Sequence, residues 1–126
     1  MEVEIKLPIT LRVKVEGPKG RREIDAVLDT GAGCTCISWD IAKDIGYDPA
    51  ISERRVEIIT ANGVTEVPLI KIDSISIGEL EARNVDTICH NIPEISTVDG
   101  LIGQSFLKHF DLHMNFKEGK MRIEDP

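Results

Sequence analysis

The chain has 126 residues, 41% hydrophobic and 29% charged, and its 15 Lys and Arg against 22 Asp and Glu leave a net charge of −7. That balance, with no basic block and only five aromatic residues, argues against a nucleic-acid partner, because phosphate binding needs the opposite sign. No apolar run approaches the roughly 20 residues that span a bilayer, and Met1–Lys6 alternates charge with aliphatics instead of forming a signal-peptide core, so no membrane contact and a cytoplasmic location are expected.

Residues 1–126 read as one domain, long enough to bury about two-thirds of the surface of its unfolded chain. Glu2 to Leu7 alternates strictly, with Val3, Ile5 and Leu7 on one face. Pro8 interrupts, and Leu11, Val13 and Val15 resume the alternation, which predicts two strand segments with a bend at the proline. Gly17-Pro18-Lys19-Gly20 is a turn, and Glu23 to Leu28 is a strand that delivers Asp29.

Ala26-Val27-Leu28-Asp29-Thr30-Gly31-Ala32-Gly33 places one carboxylate after two aliphatics and ahead of a run of small residues. Small side chains let the backbone pack close and leave its N–H groups free to face the acid. An acid placed this way serves as a catalytic base or simply caps a turn.

Beyond it, Cys34 to Ile37 reads as a short strand, and Ser38 as the N-cap of a helix from about Trp39 to Ile45 ended by Gly46. Arg54–Thr60 and Val64–Ile72 form a hairpin about Ala61-Asn62-Gly63, since Asn-Gly is a strong hairpin signal. Strands follow at Ser74–Ile77 and Ala82–Cys89, then a loop over Asn91–Thr97. After Asp99-Gly100-Leu101-Ile102-Gly103 a short helix is expected over Gln104–Phe110, and strands at Leu112–Phe116 and Met121–Ile123 close the chain. The fold class is therefore all-β, a closed barrel with one or two short helices.

The odd number of cysteines suits a reducing compartment. A metal site from Cys34, Cys36, Cys89 and His90 is conceivable, but the spacing matches no zinc pattern, so no metal or cofactor is expected. His90, His109 and His113 have no catalytic partner at a telling spacing and read as structural or surface histidines, and Trp39 reads as a core or interface anchor.

Three features, taken in order, resemble the retroviral-type (retropepsin-like) aspartic proteases. Val27-Leu28-Asp29-Thr30-Gly31-Ala32 is similar to that family's two hydrophobics followed by Asp-Thr-Gly-Ala. The hairpin tipped by Thr60-Ala61-Asn62-Gly63 sits where the family carries its mobile flap. Leu101-Ile102-Gly103, ahead of a helix with Phe106 and Leu107, is similar to the element that crosses beneath the catalytic loop.

The resemblance implies an acid-protease barrel with one lobe per chain. With one Asp motif per chain, it implies a homodimer that sets Asp29 against Asp29 of a second copy and hydrolyses an extended peptide or protein substrate by water activation. It assigns Thr30 to cross-linking the two loops, Gly31, Ala32, Leu101, Ile102 and Gly103 to supporting the site, and Gly33, Ala61, Asn62 and Gly63 to binding substrate backbone. It makes Glu2–Leu7 and Met121–Ile123 interface candidates. Gln104 stands where many retroviral members carry Arg, which leaves the usual dimer contact without its charge. Ala32, without a hydroxyl, implies a pH optimum nearer mild than strong acid. The alternative is a non-catalytic or weakly active binding or dimerisation module on the same fold. Retention of Thr30 and the small residues around Asp29 favours catalysis.

Overall fold

Alternating aliphatics commit the first half of the chain to strands with one face buried. In the computed structural model, which describes residues 1–91 and 98–125, Leu11, Val13 and Val15 of β2 (Thr10–Gly17) and Ile24, Ala26 and Leu28 of β3 (Gly20–Leu28) all point into the core. A tight turn at Pro18-Lys19 pairs them from Thr10↔Val27 to Gly17↔Gly20.

The remaining strands are β1 (Glu2–Glu4), β4 (Thr35–Ile37), β5 (Arg55–Thr60), β6 (Gly63–Ile77), β7 (Leu80–Cys89), β8 (Gly100–Ile102), β9 (Asp111–Asn115) and β10 (Lys120–Glu124). The order β2-β3-β8-β4-β7-β6 closes on itself through Val15↔Ile75 and its neighbours, giving a six-stranded barrel. Closure leaves those six strands no open edge. Among the described residues β5 pairs only with β6, so the β5–β6 hairpin projects from the barrel. Two short helices, α1 (Trp39–Asp44) and α2 (Gln104–Leu107), complete an all-β lobe of the expected class. Ser38 caps α1 as predicted, its Oγ accepting from the Ile41 N–H at 3.3 Å.

Three expectations are corrected. The first strand stops at Glu4: the Ile5 N–H turns to the Gly119 carbonyl at 2.7 Å, and Leu7 is 78% exposed instead of facing inward. The two strands expected at Val64–Ile72 and Ser74–Ile77 are one. Polar Asp73 suggests a break, but its N–H donates to the Tyr47 hydroxyl at 2.8 Å, which carries the strand past the irregularity made by Asn84 at φ +54°. The helix expected over Gln104–Phe110 lasts only to Leu107, after which the His109 and Phe110 N–H groups bond three residues back. Apart from Asn91, the loop expected over 91–97 lies outside the described residues.

A separate antiparallel sheet of order β1-β10-β9 joins the two ends of the chain, with Val3 opposite Met121. Among the described residues no helix is long and apolar enough to cross a membrane.

Candidate active site

β8 runs between β3, to which it is parallel, and β4, to which it is antiparallel. The parallel register sets Val27 beside Leu101 and Leu28 beside Ile102, so Leu101-Ile102-Gly103 passes under the loop that follows β3. The chain leaves the barrel at Asp29: Leu28 still donates to the Ile9 carbonyl at 2.8 Å, and the Asp29 N–H donates to the Ile102 carbonyl at 2.9 Å. Two motifs separated by some seventy positions are thereby joined.

The half-buried Asp29 side chain accepts from the Gly31 N–H at 3.0 Å through Oδ1. The Ala32 N–H donates to the Asp29 carbonyl at 3.2 Å and closes the turn. Thr30 and Gly31 are exposed, and the Thr30 hydroxyl bonds to none of the described residues. Among the described residues, a Cβ on Gly31 would meet only Asp29 Oδ1, at 3.4 Å, and one on Gly33 would meet nothing within 4 Å.

Contacts that carry no sequence periodicity hold the loop from below. The Gln104 and Ser105 N–H groups, at the start of α2, donate to the carbonyls of Ala32 at 2.8 Å and Gly33 at 3.0 Å. This satisfies two of the free donors of a helix whose N-cap, Gly103, has no side chain to cap it. Two buried hydroxyls serve the same crossing: Ser105 Oγ accepts from the Thr35 N–H at 2.8 Å, and Thr35 Oγ1 accepts from the Gly103 N–H at 3.2 Å. The Gln104 side-chain amide donates to the Thr30 carbonyl at 2.8 Å. Thr35 and Ser105 gave no signal in the sequence, and Gln104 stood out only as a missing Arg.

Beside Asp29 lies a groove of about 540 Å³. Its lining includes Val27 and Ala32, which flank the acid in the chain, Leu101 of β8, and Ile58 and Ile59 of the β5–β6 hairpin. Cys36, Val67, Leu69 and Ile88 make a small apolar cluster under that hairpin, with Cys34, Val56, Ile58 and Leu101 packed on it. The hairpin tip, Ala61 to Gly63, is exposed and lies outside the groove wall, and Gly63 rather than Asn62 takes the positive φ, +109°.

Cys34 and Cys36 share the cluster under the hairpin, but Cys89 packs in the barrel core instead. The set Cys34, Cys36, Cys89 and His90 therefore does not converge, and among the described residues no other group of three or more His, Cys, Asp or Glu is arranged to hold a metal ion. Burial pushes the Cys36 thiol up to about 11 and that of Cys89 up to about 12, and it raises Cys34 as well.

Residues 13–109 match the model of a family described as gag-polyprotein putative aspartyl protease. The chain belongs to that family. Its structure superimposes on a retropepsin-like aspartic protease from Rickettsia conorii with a TM-score of 0.74 at 19% identity, over 98% of this chain and 88% of that one. The protease of simian foamy virus (mac) gives a TM-score of 0.53 at 14% identity, over 79% of this chain and 91% of that one. The fold is that of a retropepsin-like aspartic protease lobe. An uncharacterized protein in the cobV 5′ region of a Sinorhizobium species is 28% identical over 104 residues, or 82% of this chain and 43% of that protein. The chain thus spans less than half the length of this curated relative.

Proposed function

We propose that this chain is an aspartic endopeptidase that works as a two-fold homodimer, with Asp29 of each copy forming the catalytic pair. The observation that carries the reading is the placing of Asp29: one carboxylate at the mouth of a closed barrel, anchored by the Gly31 N–H and bordered by an apolar groove. A lone carboxylate can take a proton from water but cannot also donate one to the scissile carbonyl. Two held about 3 Å apart share a proton and do both, the ionised member activating water while its protonated neighbour polarises the carbonyl. The exposed Thr30 hydroxyl then has its partner in the second copy's loop, and the open space over Gly33 receives the backbone of the substrate.

The groove sets the substrate class. An extended peptide lies between the Asp29 loop and the β5–β6 hairpin, and the walls of Val27, Ile58, Ile88 and Leu101 select apolar side chains beside the cleaved bond. Leu101, Ile102 and Gly103 support the loop from beneath, Gly31 and Ala32 shape it, and Ala61, Asn62 and Gly63 close over the substrate from the hairpin tip. We keep residues 1–126 as a single protease domain, and its free thiols fit a reducing, cytoplasmic setting.

The test is cleavage of a mixed peptide library by the chain and by Asp29→Asn, with oligomeric state measured by sedimentation. Turnover at apolar sites by a dimer, abolished in Asp29→Asn while the dimer persists, is the expected result. Cleavage that survives the substitution, or a monomer inert at every concentration tried, overturns the reading and leaves a non-catalytic binding module on this fold.

A further inference from the structure

We propose that Gln104 is a positioning residue for the Asp29 carboxylate, acting through the peptide unit between Thr30 and Gly31. The inference rests on the reading of Asp29 as the catalytic acid. Gln104 Nε2 donates to the Thr30 carbonyl at 2.8 Å, and the Gly31 N–H donates to Asp29 Oδ1 at 3.0 Å. That carbonyl and that N–H belong to one rigid, planar amide. Fixing its oxygen therefore fixes where its N–H points, and the N–H points at the carboxylate. An amide whose oxygen accepts a hydrogen bond also becomes a better donor at nitrogen, so the contact strengthens the bond to Asp29 as well as aiming it.

Gln104 is itself held firmly enough for this task. Its own N–H grips the Ala32 carbonyl at 2.8 Å, and the next N–H, of Ser105, grips Gly33 at 3.0 Å. The start of α2 thus holds the loop at three of its carbonyls, Thr30, Ala32 and Gly33. Only the grip on Thr30 comes from a side chain, so only that one can be removed by substitution without disturbing the backbone. The uncharged side-chain amide reaches the oxygen of the same peptide whose N–H serves the acid.

The experiment compares the full chain with Gln104→Met, which keeps the bulk and loses the donor, Gln104→Glu, which turns a donor into an acceptor, and Gln104→Arg, which keeps donors at similar reach. The Gly31 amide is followed by ¹H–¹⁵N NMR, and kcat and KM are measured on a peptide that the parent cleaves. Gln104→Met and Gln104→Glu are expected to shift the Gly31 resonance upfield, speed its solvent exchange and lower kcat about tenfold with KM little changed, the size of one hydrogen bond made stronger in the transition state. Gln104→Arg is expected to restore both the resonance and most of the lost kcat. A Gly31 amide unmoved in Gln104→Met, or a kcat loss shared equally by Gln104→Arg, overturns the proposal. The NMR arm needs no turnover, so failure of the positioning role is distinguishable from failure of Asp29 as the catalytic acid, which only the Asp29→Asn comparison reports.

Discussion

Gly103 lies so close beneath Ala32 that a Cβ built on it would stand 2.7 Å from the Ala32 carbonyl oxygen, and equally near that of Cys34. Both obstacles are backbone, so neither can swing aside as a side-chain tip would. Gly103→Ala is expected to force the Asp29 loop upward, destabilise the fold by about 1–3 kcal/mol and remove most of the proposed peptidase activity. Thermal melting followed by peptide turnover checks it. A variant with parental melting temperature and turnover would show that the crossing has slack.

Thr35 is 1% exposed, and its hydroxyl is the acceptor for the Gly103 N–H. Thr35→Val keeps the shape and leaves that N–H buried without a partner, at an expected cost of about 1–3 kcal/mol. Ser105→Ala does the same to the Thr35 N–H. Because the two hydroxyls serve one crossing, the double variant is expected to lose less than the sum of the singles. Denaturant unfolding of the four proteins measures the coupling, and strict additivity would mean that the two bonds act independently.

The features legible in the sequence were those written in local pattern: the alternation of Leu11, Val13 and Val15, the Ser38 cap, the Asn62-Gly63 hairpin and the Asp29 motif. These depend on neighbours within a few positions, where spacing and side-chain type are enough. The illegible parts are bonds between distant segments. Nothing local marks Ser105 as an acceptor for Thr35, Gln104 as a donor to Thr30, or Tyr47 as the bridge that keeps β6 continuous past Asp73. Each pairs a side chain with a backbone group at least 26 positions away, and such pairs leave no period to read. Leu7 misled for a related reason, since its place in an alternation counts only while the strand has a partner, and β1 has already ended at Glu4.

Leu7 is 78% exposed, two residues before Ile9, whose carbonyl receives the Leu28 N–H immediately ahead of Asp29. If two copies meet at Asp29, this large apolar side chain lies near the meeting face and is buried there. Leu7→Glu is expected to forfeit that burial, about 1.5–3 kcal/mol, and so to weaken the dimer roughly 10- to 100-fold. Sedimentation checks the association, and activity that recovers at high protein concentration would show that the defect lies in pairing. An unchanged dissociation constant would place Leu7 outside the interface.

The thiols and Tyr47 give the fold an alkaline limit. Burial raises Cys36 from the ordinary 9.0 to about 11 and Cys89 to about 12, and Tyr47 goes from 10.0 to about 12. A raised folded value means that the native state holds its proton more tightly than the unfolded chain does. The stabilisation is therefore complete below about pH 9, where both states are protonated, and is lost as pH rises toward 11–12, where only the unfolded chain has already released its protons. Melting temperature is expected to hold from neutral pH to about 9 and then to fall. Cys36→Ala and Cys89→Ala should each start lower, because a buried thiol has been replaced by a smaller group, yet fall less steeply above pH 9, because one titration has been removed. Melting curves at intervals from pH 7 to 11 decide the matter. Slopes in both variants as steep as the parent's would mean that burial of the thiols is not what sets the limit.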